Sequence, residues 1–140
     1  MEGSVGVLID SSVLINVERS GTDISAFVRG REEEEAFLSV ISASELLHGV
    51  HRAIDPKIKA KRLAFVEGVL AAIPVIAIDL STARSHAQLW AALAKSGKMM
   101  GVHDSWLAAI CLAHDLRLAT CNMREFQMVP GLEVEDWNIH

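Results

Sequence analysis

Short apolar runs alternate with longer amphipathic stretches along this 140-residue chain. The first run, Val5-Gly6-Val7-Leu8-Ile9, is β-branched and stops at Asp10, after which Ser11 to Val17 switches to helical spacing. That order predicts strand, tight turn, helix. Asp23 to Arg29 reads as a second short helix, and Arg31 with Glu32 to Glu35 as a solvated charge run. Ala36 to Ile41 is the expected second strand, and Ser42 or Ser44 is placed to cap a helix carrying Glu45, Leu46, Leu47 and Val50. Pro56 opens a helix from Lys57 to Ala72. Pro74 to Asp79 is the third strand, and Ser81 caps an alanine-rich helix to about Lys95. After a loop bracketed by Gly97 and Gly101, Asp104 to about Ala113 forms a helix whose Ala108 and Ala109 allow close packing on a sheet. Leu116 to Thr120 is the fourth strand, with Leu132 to Val134 as a fifth.

This alternation predicts one α/β domain over residues 1–140: three α/β/α layers around a mostly parallel sheet of four to five strands. Hydrophobic residues make up 51% of the chain, more than a monomer of this size comfortably hides. A homodimer face or a partner groove would absorb the excess. Thirteen Lys and Arg against eighteen Asp and Glu give a net charge of -5, which excludes a protein that coats nucleic acid by electrostatics alone. An enzyme acting on nucleic acid is still allowed if its basic residues are confined to a rim. The candidates are Arg29, Arg31, Arg52, the cluster Lys57, Lys59, Lys61 and Arg62, then Arg117 and Arg124. Cys111 and Cys121 lack C-x-x-C spacing and are expected as reduced thiols in a cytoplasm. The opening residues carry no basic leader, and no apolar run approaches the ~18 residues of a membrane span.

In a parallel sheet the functional crevice lies beyond the carboxyl ends of the strands. Asp10 ends the first strand, Glu45 follows the second, Asp104 opens the helix before the fourth, and Asn122 follows the fourth directly. Singly, Asp10 and Asp104 read equally well as helix caps, and Glu45 as an acid favoured by the helix dipole. Together they are better explained as a site, because caps on separate helices need not converge and clustered carboxylates repel unless a cation or protons neutralise them. A hard divalent ion, Mg²⁺ or Mn²⁺, suits such oxygen ligands, and the chemistry that follows is phosphodiester hydrolysis by activated water. Asp10 and Asp104 are the expected direct ligands, and Glu45 shares the metal or orients the water. Asn122, Ser12 and Thr120 offer supporting hydrogen bonds. The string Glu45, His48, His51 imitates a zinc site, but two steps of three residues turn a helix through roughly 120° in total, too far for one ion. His103, beside Asp104, is within reach of a substrate, although a histidine at a helix start is ordinarily idle. Trp90, Trp106 and Trp137 are expected as core or dimer anchors.

The segments LIDSSVLI (residues 8–15), ISASELLHGV (41–50), GVHDSWLAAICLAHDLRLATCN (101–122) and REF (124–126) resemble the motifs of the PIN-domain family. Within it, the chain is most similar to the VapC-type toxin ribonucleases of bacterial toxin-antitoxin modules. The resemblance implies an acidic triad of Asp10, Glu45 and Asp104, endonucleolytic cleavage of RNA with Mg²⁺, and control by a cognate antitoxin. The fourth family position, often Asp, is Asn122 here; it brings no charge, and Glu125 is close enough in sequence to compensate. Leu14, Val17, Leu46, Leu47 and Val50 are the expected groove for an antitoxin segment. Crowded carboxylates in the metal-free pocket are expected to have raised pKa values.

Two other classes compete. An aspartyl-phosphate protein of the haloacid-dehalogenase type wants a second Asp two residues after Asp10, where Ser12 stands; a receiver domain wants a Lys after the fourth strand, and none follows. A non-catalytic PIN-like module that binds RNA or antitoxin is favoured only by Asn122.

Overall fold

The first apolar run forms the centre of the sheet. In a computed structural model that describes residues 6–31 and 33–138, strand β1 (Gly6–Ile9) is buried along its whole length. It pairs in parallel with β2 (Ala36–Ser39) on one side and β4 (Leu116–Thr120) on the other. Two short strands complete the sheet, β3 (Val75–Ile76) beside β2 and β5 (Val134–Asp136) beside β4. The order is β3-β2-β1-β4-β5, and every pairing is parallel. A strand covered on both faces has no polar side to present, which explains the unbroken apolar character of β1.

The pleat divides the core into two. Val7 and Ile9 point to one face, where they meet α1 (Ser11–Arg19), α2 (Ile24–Arg29), α3 (Val40–Arg52) and α4 (Pro56–Ala72) through Val13, Leu14, Val17, Phe27, Leu46, Val50, Val66 and Val69. Leu8 points to the other face, against α5 (Leu80–Lys95), α6 (Val102–His114) and α7 (Met123–Phe126), through Leu89, Leu93, Leu107, Ile110 and Phe126. Ala108 and Ala109 are fully buried, so α6 lies close on the sheet. Helices thus cover both faces, as the alternation predicts.

Several boundaries differ from expectation for local chemical reasons. The second strand ends at Ser39 rather than Ile41, because the Ser39 hydroxyl accepts the Ser42 N–H at 3.0 Å and starts α3 earlier than a cap at Ser42 or Ser44 would. The third strand keeps only Val75 and Ile76. Asp79, not Ser81, caps α5, its Oδ1 accepting both the backbone N–H and the hydroxyl of Thr82 at 2.8 Å. Helix α6 begins at Val102, which places Asp104 inside its first turn rather than before it. The fifth strand is Val134–Asp136, its register set by pairing with Leu118 to Thr120. Val5 and Glu32 lie outside the described residues. The rest of the charge run is not simply solvated: Glu34 pairs with Arg117, whose Nε lies 2.9 Å from Glu135 without aligning for a hydrogen bond. The Arg31 guanidinium sits 3.7 Å from the Trp137 ring centroid. Trp137 is a core residue and Trp106 stacks on His86, whereas Trp90 is 68% exposed. Both cysteines are free. Among the described residues no helix is long and apolar enough to cross a membrane.

Candidate active site

Ile9 pairs with Ala119, so the next residues on the two central strands, Asp10 and Thr120, emerge side by side at the carboxyl edge of the sheet. Asp10 is buried, and its Oδ2 accepts hydrogen bonds from the Thr120 hydroxyl and the Ser12 hydroxyl, both at 2.8 Å. Each hydroxyl is itself aligned by a backbone donor: the Cys121 N–H donates to Ser12 at 3.1 Å and the Asn122 N–H to Thr120 at 2.9 Å. These two relays fix the carboxylate and polarise the hydroxyls toward it. Burial pushes the Asp10 carboxyl above its ordinary range; the Ser12 and Thr120 hydroxyls oppose the rise, and the charge of Glu45 adds to it.

Glu45, in the second turn of α3, is held by two further groups. The Ser11 hydroxyl donates to its Oε1 at 3.2 Å, and His103 Nδ1 lies 3.2 Å from its Oε2. Asp104 shares the first turn of α6 with that histidine and faces Glu125 on α7. Its carboxyl is pushed up to about 7, first by burial, then by a hydrogen bond with Glu125, then by the charges of Asp10, Glu125 and Glu45. Two carboxyl groups can hydrogen-bond only if one keeps a proton, so the approach of Glu125 favours the protonated form of Asp104. The structure therefore brings Asp10, Glu45 and Asp104 within electrostatic reach of one another at one sheet edge, with Ser12 and Thr120 beside them.

Asn122 participates through its backbone N–H, and its side chain is exposed at the start of α7. Sequence reasoning left Glu125 as a weak substitute and did not single out Ser11. The signal for Glu125 was the turn of helix after β4, which swings position 125 back toward Asp104 while leaving it exposed, so the solvated reading also holds. His48 and His51 are exposed, and Glu45 turns to Ser11 and His103, so the zinc-like string does not assemble.

The donors offered are all oxygen, which fits a hard divalent cation better than zinc. Among the described residues no group of three or more His, Cys, Asp or Glu side chains is already disposed as a metal cage, so the expected ligand set of Asp10, Asp104 and Glu45 is not preassembled. Mg²⁺ does not demand one: it ordinarily keeps several waters and takes one or two carboxylates. The electrostatic excess at Asp104 is what such an ion would relieve.

A cleft of about 450 Å³ between α1, α3 and α4 opens onto Glu45 and is lined by Arg19, Arg52, Lys61 and Arg62. Arg62 is anchored there by the Gly49 carbonyl at 3.1 Å. Of the apolar residues expected to form a groove, Leu46 lines this cleft, whereas Leu14, Val17 and Val50 are core. Leu47 is partly buried against the same core.

A family model described as PIN domain matches residues 7–132. Ribonuclease VapC1 of Rickettsia felis is 30% identical over 130 residues, 93% of this chain and 95% of that protein. The tRNA(fMet)-specific endonuclease VapC of Salmonella typhimurium is 33% identical over 100 residues, 71% of this chain and 74% of that one. Among solved structures, DNA-bound VapBC from Salmonella typhimurium superposes with a TM-score of 0.83 at 27% identity, covering 95% of this chain and 98% of the other.

Proposed function

Because the chain belongs to the PIN-domain family, with VapC ribonucleases among its relatives, we propose that it is a divalent-metal-dependent endoribonuclease, the toxin of a toxin-antitoxin pair. The observation that carries this reading is the convergence of Asp10, Glu45, Asp104 and Glu125 from four separate segments, with Asp104 pushed up to about 7. A fold does not normally retain such repulsion for stability alone. Mg²⁺, or Mn²⁺ in its place, would be held by Asp10 and Asp104, with Glu45 or Glu125 completing its surroundings. When bound, such an ion lowers the pKa of water and neutralises charge on a phosphate.

The residues themselves do the rest. Asp10, fixed by Ser12 and Thr120, is the anionic anchor whose position cannot drift. Glu45, steered by Ser11 and His103, orients the attacking water in line with phosphorus. Glu125 supplies the acidity that Asn122 lacks. Arg52, Lys61 and Arg62, beside Glu45, give a polyanionic strand a local positive approach on a protein of net charge -5.

The same cleft is the proposed seat of an antitoxin segment, and the exposed apolar residues Leu80, Trp90 and Val102 the proposed contact with a second copy. The test is incubation of total RNA with purified protein. Mg²⁺-dependent cleavage that disappears in Asp10→Asn and Asp104→Asn supports the reading. Equal RNA binding by all three forms without cleavage replaces it with a non-catalytic binding module, the alternative that Asn122 favours.

A further inference from the structure

Building on the ribonuclease reading, we propose that Asn16 and Asn138 form a subsite that reads the edge of one unpaired base beside the scissile phosphate, and so help to set the cleavage sequence. The pair stands at the same sheet edge as Asp10. The Trp137 backbone N–H donates to the Thr120 carbonyl at 3.1 Å, which carries the chain from β5 past the end of β4 and delivers Asn138 there. Asn16 lies on α1, one helical turn, about 6 Å, beyond Ser12. Hydrogen bonds join it to the acid without a break. Asn16 Nδ2 donates to Cys121 Sγ at 3.2 Å, the Cys121 N–H to the Ser12 hydroxyl at 3.1 Å, and that hydroxyl to Asp10 Oδ2 at 2.8 Å. A base held at Asn16 therefore belongs to a nucleotide flanking the phosphate that Asp10 engages.

Asn16 Nδ2 also donates to Asn138 Oδ1 at 3.3 Å. With both of its hydrogens engaged, Asn16 keeps its Oδ1 as an acceptor, and Asn138 keeps its Nδ2 as a donor. Turning both amides over exchanges these roles and still leaves one donor beside one acceptor, so the pairing does not depend on which way the amides face. Neither group titrates. Such a pair complements the edge of a base, which presents a donor and an acceptor side by side. Backbone phosphates offer acceptors alone and are matched better by the arginines and lysine of the cleft. A second feature also points to a base. Trp137, the residue before Asn138, carries the half-exposed Arg31 guanidinium at 3.7 Å from its ring centroid, and a guanidinium held in this way is a plane on which unpaired bases stack. The fold itself gains little from the amides, because Asn is a poor residue inside a helix and Asn138 is exposed.

The experiment scores cleavage, in Mg²⁺, of single-stranded oligoribonucleotides built on a site mapped from total RNA, with the positions flanking the scissile bond randomised one at a time. Relative kcat/KM for each base is read by sequencing the products of wild type, Asn16→Leu and Asn138→Leu, which keep the size of the side chain and remove the amide. Wild type is expected to favour one base by about fivefold or more at one flanking position, the lower bound for a paired base-edge contact. Both variants are expected to lose that preference at that position alone. A wild type that cleaves with no preference at the flanking positions overturns the inference. So does a variant pair that cuts more slowly with the same base preference, which leaves the amides as a brace for Cys121. Because Asn138 is exposed, Asn138→Leu keeps the test standing if circular dichroism shows Asn16→Leu to be misfolded. Wild-type protein that cleaves no RNA of any sequence instead removes the ribonuclease reading beneath the inference.

Discussion

Replacing Asp104 by Asn should make the metal-free protein more stable while abolishing its proposed activity. In the folded chain the Asp104 carboxyl is pushed up to about 7 from an ordinary 3.8. Between those values the folded state keeps a proton that the unfolded state has lost, so stability falls as pH rises through this window. Below about pH 4 both states are protonated and no cost exists; above about pH 7 the cost is complete. A rise of this size corresponds to about 4 kcal/mol at most. Asp104 is partly solvated, so water screens much of that, leaving about 1 to 2 kcal/mol. Asn keeps the shape and donates to Glu125 without a charge. In EDTA at pH 8, Asp104→Asn should therefore melt roughly 3 to 8 °C above wild type, and the gap should close toward pH 4. Mg²⁺ should then stabilise wild type, by about 2.7 kcal/mol at a hundredfold excess over Kd, and leave the variant nearly unmoved. Differential scanning calorimetry across pH decides it. A variant that melts below wild type at pH 8, or a gap independent of pH, would refute the electrostatic argument.

Thr120→Val removes one of the two hydroxyls on Asp10 and strands the Asn122 N–H. It should cost about 1 to 2 kcal/mol in urea denaturation and lower RNA cleavage, with Thr120→Ser restoring both. Glu125→Gln removes a neighbouring charge and replaces a proton-demanding partner with a donor, so the titration midpoint of Asp104, followed by carboxyl-carbon NMR, should move below about 7. A midpoint that stays in place would mean that Glu125 does not set it.

The chain's pattern revealed most of the architecture because β1 and β4 are buried on both faces and α6 carries its small residues inward, leaving an apolar signature that no loop imitates. The edges were harder to read. At Ser39 and Asp79 the cap that wins is the one whose oxygen reaches an orphaned N–H, and that is decided by geometry among several eligible residues. The short β3 and β5 owe their place to neighbours already in the sheet. At the site, Asp10, Glu45 and Asp104 were legible because each stands at a strand end or near a helix start. Glu125 was legible only as a substitute offered for Asn122, because four residues of helix after β4 decide where it points. The Ser11 and His103 contacts with Glu45 were likewise hidden: they join positions 34 and 58 residues apart, and nothing local in the sequence marks them.

The two ends of the acidic cluster are built in opposite ways, and that asymmetry is the argument for a dissociable cation. Asp10 is surrounded by donors that hold it in one place and counter the effect of burial. Asp104 faces another carboxyl and, among the described residues, receives no comparable donor, so its carboxyl is pushed up to about 7. A site designed only to stabilise the fold would supply donors to both, as Asp79 receives from Thr82 and Asp55 from Lys57 at ordinary helix caps. Leaving one carboxyl short of positive charge at the edge of a sheet costs stability at neutral pH. That cost is recovered only when something cationic arrives. A proton relieves it weakly near pH 7, whereas a divalent ion on the Asp10 side would relieve both carboxyls at once and displace the proton as it bound. On the proposed reading, the pinned acid would set the position of the ion, and the Asp104–Glu125 side would set the drive to take it up.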